Sequence, residues 1–253
     1  MGIPGAGKSR IAEDYVARGY LRLNRDERGG TLRDVAQALD DELAGGARRA
    51  VLDNTYLSRA SRSYVLEAAG RHGVPVRCVW LDTPLAQAQV NMVERLLERF
   101  GSLPAPEELK AAARREAGVH TPTSQMRAAR ELEPPSRDEG FSAVEQVPFE
   151  RASREGRAGV FVAASALAEW REAADLVFDW RPGGDTDGLP AGAAICPHAG
   201  GPPICWCRPP LPGLVLAYAR EHGVDPARST LVGTSTAHRT LATTLGARYY
   251  SVG

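Results

Sequence analysis

The chain has 253 residues, 43% of them hydrophobic and 25% charged, and its 31 basic and 31 acidic side chains cancel. That length suits two compact domains or one large one, and the absence of a basic excess argues against a protein that coats duplex nucleic acid. No apolar run reaches the roughly 18 residues of a membrane helix and no signal-peptide pattern opens the sequence, so the expected address is the cytoplasm, with no membrane partner.

The chain opens on Gly2-Ile3-Pro4-Gly5-Ala6-Gly7-Lys8-Ser9, and residues 8–18 read as a helix with Ile11, Tyr15 and Val16 on its apolar side. A glycine loop of this kind ordinarily follows a buried strand. Only Met1 precedes Gly2, so the expectation is a true start upstream of the recorded one, or else a fold without that strand. Next come a short strand over Tyr20 to Leu23, a helix over 31–44 stopped by Gly45-Gly46, and a short buried strand at Ala50-Val51-Leu52. A helix over 58–71, a strand from Val74 to Leu81 and a helix over 84–99 follow. Residues 101–137 are polar, carry Arg114, Arg115, Arg127 and Arg130, and read as a helical lid. Ala143 to Phe149 is a closing strand, and Ser153 to Gly159 is a linker. A second αβ pattern begins at Val160. Strands alternating with helices predict an α/β fold, a parallel sheet with helices on both faces. Such sheets bind ligands at the carboxyl ends of their strands. The glycine loop, Asp26 and Asp53 each follow such an end, or its expected place, and are predicted to gather at one edge.

The spacing G-x-x-x-x-G-K-S, with a helix behind it, is a P-loop. Its glycines let backbone N–H groups turn inward around phosphate oxygens, and the helix N-terminus adds positive potential. Gly2, Pro4, Gly5, Ala6 and Gly7 would form the cradle, Lys8 would neutralise the β- and γ-phosphates of ATP, and Ser9 would ligate Mg²⁺. Transfer to an alcohol also needs a group to take or orient the hydroxyl proton. Asp26 is the candidate, with a helix cap or surface ion pair as the alternative. Asp53 would hold Mg²⁺ through water or position the acceptor, or simply cap the next helix. Arg95 and Arg99 share a helix face and would neutralise charge on the transferring phosphate, unless they form an ordinary solvated face.

Together these stretches resemble the kinase domain of polynucleotide 5'-hydroxyl kinases. The resemblance covers most of residues 2–150. It rests on the P-loop, then Asn24-Arg25-Asp26, then Asp53-Asn54-Thr55, and then Glu139-Gly140-Phe141-Ser142-Ala143-Val144 leading to Pro148-Phe149, in that order. It implies that Asp26 is the general base and that the lid arginine falls at Arg95 or Arg99. Phage-type members carry an arginine three residues beyond the base; Gly29 stands there in this chain, beside Arg28.

In the C-terminal half, Cys196-Pro197-His198 and Cys205-Trp206-Cys207 offer three thiolates and an imidazole, a set that suits a closed, structural tetrahedral Zn²⁺. Cys78, alone in an apolar stretch, reads as core. The zinc stretch, with Pro212-Gly213, Asp225 to Ser229 and Leu231-Val232-Gly233, resembles the zinc-loop branch of haloacid-dehalogenase-type (HAD-like) phosphatases. That resemblance implies a nucleophilic aspartate after the first strand, but Val160-Phe161-Val162 runs into Ala163-Ala164-Ser165. The later metal-binding acids fall at Thr234 and His238, and the expected lysine near Arg208 is lost within Pro209-Pro210-Leu211. Asp185-Thr186-Asp187-Gly188 imitates the missing motif, but on a loop. His222 and His238 are expected at the surface.

The sequence therefore predicts a P-loop kinase domain over residues 1–152 with its lid at about 101–137, and a catalytically inactive HAD-like domain over 158–253. The expected partners are ATP and either a nucleic-acid 5' end or a small hydroxylated acceptor such as a nucleoside, sugar or antibiotic. The remaining alternative is a non-catalytic nucleotide-binding scaffold.

Overall fold

The computed structural model describes residues 1–151 and 155–253; the start of the linker expected at Ser153 lies outside the described residues. By packing, the chain forms two units: Met1–Ala88 with Gln125–Glu150, and Gln89–Ser124 with Arg151–Gly253. Most of the segment read as a lid, up to Ser124, falls in the unit that holds the C-terminal half.

In the first unit, α1 (Lys8–Val16) follows the P-loop, and β1 (Leu21–Leu23) leads into the single turn α2 (Arg25–Arg28). The helix α3 (Leu32–Ala44), β2 (Ala50–Leu52), α4 (Arg59–Arg71) and β3 (Arg77–Asp82) come next. Three helices, α5 (Leu85–Phe100), α6 (Pro106–Arg115) and α7 (Pro122–Glu131), take the chain out of the unit and back, and β4 (Ala143–Pro148) closes it. The helix starts are written locally: Thr31 and Asp34, and Ser58 and Ser61, form reciprocal capping boxes. The strand expected from Val74 begins only at Arg77. Val74 N–H closes the end of α4 on Ala69 O, and Pro75 has no N–H to give a ladder.

The expected parallel pairing is present, but as two separate pairs rather than one sheet. β1 pairs with β2, Leu21 opposite Ala50, and β3 pairs with β4, Arg77 opposite Ala143. A cavity of about 460 Å³ is lined by Ala50 and Leu52 of β2, Val79 and Leu81 of β3, and apolar side chains of α1, α3 and α4. Met1 enters it alongside β3: its ammonium donates to Val79 O, and Leu81 N–H donates to Met1 O.

Burial of that ammonium lowers its pKa from 8.0 to about 6. Between those values the unfolded chain binds more protons than the folded one, so stability rises with pH. A protein with a free amino group at Met1 should lose about 2 kcal/mol of stability between pH 8 and pH 6, measurable by urea denaturation. Nα-acetylation should flatten the profile. An acetylated protein with the same pH slope would exclude this amine as the cause.

A buried ion pair ties the lead-in of β4 to α4. Arg62 Nε and Nη2 meet Glu139 Oε2 and Oε1, each at 2.7 Å, with both side chains 3% exposed. Arg62 also donates to the carbonyls of Tyr56, Leu57 and Glu133. The Glu139 stretch thus has a packing role, joined by the buried Phe141. Arg62→Ala strands a carboxylate in the interior and should cost about 3–5 kcal/mol. Arg62→Leu combined with Glu139→Leu should recover much of that loss in thermal denaturation; no recovery would refute the pairing argument.

The second unit holds a five-stranded parallel sheet. Its strands are β5 (Val160–Ala163), β6 (Leu176–Trp180), β7 (Ala194–Cys196), β8 (Thr230–Gly233) and β9 (Arg248–Ser251), in the order β7-β6-β5-β8-β9. Helices α8 (Gly213–Glu221) and α9 (Thr236–Leu245) complete the αβ alternation. The order reverses between β5 and β8, which makes the carboxyl ends of those two strands the switch point of the sheet.

Candidate functional site

The P-loop is built from turned carbonyls. Gly2, Gly5 and Gly7 have φ of 153°, 83° and 92°, values a side chain resists. A Cβ at Gly5 would also strike Ala88 O and crowd Gln125 Nε2. Lys8 Nζ donates to Ile3 O at 2.9 Å, Gln125 Nε2 to Pro4 O at 2.9 Å, and Thr83 Oγ1 to Ala6 O at 3.1 Å. Three loop carbonyls are thus held by side-chain donors, while Ala6 N–H closes a tight turn on Ile3 O at 3.1 Å. Helix α1 starts directly behind, at Lys8, and Ser9 is exposed at that end.

The two other motifs interlock. Asp53 N–H donates to Leu23 O, and Asn24 Nδ2 donates to Asp53 O and Oδ2. Asn54 Nδ2 reaches Leu23 O, while Asn54 Oδ1 accepts from Arg25 N–H. Gly2 N–H then donates to Thr55 O at 3.2 Å, which seats the start of the P-loop against the Asp53-Asn54-Thr55 stretch. The expected gathering of the three motifs at the carboxyl ends of β1 and β2 is what these bonds produce.

Within this cluster the two acids differ. Asp26 lies in the first turn of α2, which Asn24, not Asp26, caps. Its side chain is 40% exposed and touches Arg25 at 3.2 Å, an ion pair of small energy at such exposure. Asp53 is buried, with its carboxylate 2.5 Å from Arg22 and also taking the Asn24 amide. A bond from Asp53 to Mg²⁺ through water is compatible with that, whereas direct ligation would have to displace a partner.

Arg95 and Arg99 lie on the part of α5 that packs with the second unit. Arg95 Nη1 donates to Gly118 O at 3.1 Å; Arg99 donates to Ala117 O and pairs with Glu116 at 2.7 Å. Here the two guanidinium groups hold the chain just beyond α6, a use that their helical spacing alone did not announce.

In the second unit the four expected metal ligands converge. One ligand atom each from Cys196, His198, Cys205 and Cys207 lies within 4.8 Å of every other. The neighbouring separations are 3.2 to 3.6 Å, close to the roughly 3.8 Å edge of a tetrahedron with Zn–S bonds near 2.3 Å. Three thiols this close cannot all ionise alone. Hydrogen bonds from Cys196 and Cys207 draw Cys205 toward thiolate, the bond with Cys205 pushes Cys196 up to about 11, and the bond with Cys196 pushes Cys207 up. A divalent cation would relieve that conflict, so the donor set is compatible with zinc. Leu103 and Leu214 pack against the cluster, and the buried Trp206 donates its Nε1–H to His120 O at 3.1 Å.

At the switch point of the same sheet, Ser165 and Thr234 share a 2.7 Å hydrogen bond, and Thr234 N–H donates to His238 Nδ1. These positions carry hydroxyls and an imidazole where the phosphatase resemblance implied acids. His238 is half-buried against Phe178 rather than free at the surface, and burial lowers its pKa. The Asp185 to Gly188 imitation lies on the loop between β6 and β7, its backbone held by Arg181.

Several residues in these networks were not singled out from sequence: Thr83 and Gln125 behind the P-loop, and Arg22 beside Asp53. Asn54 was quoted only as part of the Asp53-Asn54-Thr55 motif, without its role of joining that motif to Leu23 and Arg25. Gln125 gave no signal, because its partner Pro4 lies 121 residues away.

Residues 1–118 match the model of a family described as AAA domain. The chain is also 29% identical over 154 residues to a bifunctional polynucleotide phosphatase/kinase of Schizosaccharomyces pombe, an alignment of 59% of this chain and 32% of that protein. The aligned part therefore spans about a third of that relative's length. The N-terminal part of this chain is thus similar to the AAA domain family and to part of that relative. Among the described residues, no helix is long and apolar enough to cross a membrane.

Proposed function

We propose that this chain is an ATP- and Mg²⁺-dependent kinase that transfers the γ-phosphoryl group to a hydroxyl, with the 5'-hydroxyl end of a polynucleotide as leading acceptor. The observation that carries the proposal is the interlocked cluster of the P-loop, Asn24-Arg25-Asp26 and Asp53-Asn54-Thr55 at the carboxyl ends of parallel strands. A binding scaffold needs only the first of these; an exposed carboxylate in the Asn24-Arg25-Asp26 turn is what a transfer reaction adds.

The turned N–H groups, Lys8 and the start of α1 bind the β- and γ-phosphates. Asp26 takes the proton of the acceptor hydroxyl as its oxygen bonds to the γ-phosphorus, and the bond to the β-phosphate oxygen breaks to release ADP. Ser9 and Asp53 are the residues that would hold Mg²⁺, which when bound would supply charge neutralisation on the phosphates. Arg95 and Arg99 are the proposed source of positive charge for the transferring phosphate. Arg25 and Arg28, exposed on either side of Asp26, supply a local grip on an acceptor's own phosphates. Such a grip needs no net basic charge.

The C-terminal half, in this proposal, is an HAD-like zinc-loop domain over 158–253 that keeps the metal and has lost the phosphatase acids. The relative's printed activity, which joins phosphatase and kinase, supports the pairing of the two halves.

The test is an acceptor panel with γ-labelled ATP: 5'-hydroxyl oligonucleotide, nucleoside, sugar and aminoglycoside. Label on the oligonucleotide 5' end is expected. Label on a small molecule alone would replace the acceptor, and ATP binding with no labelled product would leave a scaffold.

A further inference from the structure

Gln125 is fully buried, yet its side chain is not satisfied. Its Nε2 gives both of its hydrogen bonds at 2.9 Å, one to Pro4 O and one to Ala88 O. Its Oε1 is buried with no hydrogen-bond partner among the described residues. A leucine or methionine would remove that orphaned acceptor but would also take the donor from the Pro4 and Ala88 carbonyls. The amide is therefore explained by those two bonds. Pro4 O is one of the carbonyls that must face away from the phosphates for the cradle to exist. Ala88 is the last residue before the chain leaves the first unit at Gln89, and Gln125 is the first after it returns. Gly5, the cradle residue next to Pro4, has no room for a Cβ against Ala88 O and Gln125 Nε2. One amide therefore fastens together the phosphate loop and both ends of the 89–124 segment.

We infer that Gln125 is a positioning residue that preforms the ATP phosphate cradle and couples its occupancy to the two crossing points of the 89–124 segment. This rests on the P-loop binding a nucleotide, as proposed above. It adds that an anion entering the loop draws the Pro4–Gly5 peptide tighter against Gln125, and so stiffens the chain around Ala88 and Gln125. The effect on the reaction falls on nucleotide affinity and not on the chemical step, because Gln125 touches neither the acceptor nor Asp26.

The experiment compares wild type with Gln125→Met, which keeps length and volume but has no donor. ATP binding is read by calorimetry, and transfer by steady-state kinetics. We expect the Kd and KM for ATP to rise about tenfold or more, with kcat changed less than about threefold and the acceptor KM unchanged. Equal ATP affinity in the two proteins overturns the inference, as does a fall in kcat at constant KM. A wild type that does not bind ATP defeats the nucleotide proposal itself, which keeps the two failures distinct. If Gln125→Met is unfolded by circular dichroism, hydrogen exchange on the wild type decides instead. ATP should slow exchange in residues 86–90 and 123–127, and unchanged exchange there would refute the coupling.

Discussion

Replacing Asp26 with alanine should slow phosphoryl transfer by about 10²–10⁴-fold, the usual contribution of a positioned general base, while ATP affinity stays within error. The structure explains why the two effects should separate. Asn24 caps α2 through its own side chain, so that turn does not need the Asp26 carboxylate. The ion pair with Arg25 is exposed and contributes at most about 1 kcal/mol. The P-loop draws its shape from Lys8, Thr83 and Gln125, none of which contacts Asp26 in the bonds described above. Asp53→Ala should behave differently. It removes the buried partner of Arg22 and an acceptor for Asn24, so loss of fold and loss of activity should arrive together. Steady-state kinetics paired with ATP titration separate the two cases. Transfer that persists in Asp26→Ala would remove that residue from the mechanism.

Stripping zinc should be the largest perturbation of the second unit. Purified protein should carry about one equivalent of Zn²⁺, and a strong chelator should lower the melting temperature of this unit by on the order of tens of degrees, because the free energy of a structural zinc is folding free energy. The damage should spread beyond the knuckle. Trp206, between two of the ligands, holds His120 O, and Leu103 packs against the thiol cluster. Residues 101–121 should therefore lose hydrogen-exchange protection along with 194–208. Cys207→Ser should reproduce the chelated state. Metal content well below one equivalent, or melting indifferent to chelation, would contradict a structural zinc.

What the sequence made legible was whatever physics writes locally. The strand triplets at β1 and β2, the capping residues before α3 and α4, and the P-loop glycines all act on neighbours a few residues away. Asp26 and Asp53 could be placed together because each follows a short strand, and parallel strands end on one side. The C-x-H and C-x-C spacing carried its geometry in the same way. What stayed hidden depends on partners far along the chain. Arg62 and Glu139 are 77 residues apart, and nothing in the helical pattern of α4 marks Arg62 as the one arginine turned inward. Gln125 sits in a short polar helix that reads as solvated. The packing of Gln89–Ser124 with the C-terminal half was equally silent, since its anchor joins His120 to Trp206 across 86 residues. Arg95 and Arg99 show the converse. Their spacing put them on one face, but only the structure shows what that face now holds.

A structure with Mg²⁺, a non-hydrolysable ATP analogue and a 5'-hydroxyl dinucleotide bound together would test the central claim most directly. The account expects an Asp26 carboxylate oxygen within about 2.6–3.2 Å of the acceptor hydroxyl, with that hydroxyl in line with the γ-phosphorus. An acceptor seated elsewhere, with Asp26 pointing into solvent while the P-loop is filled, would contradict it.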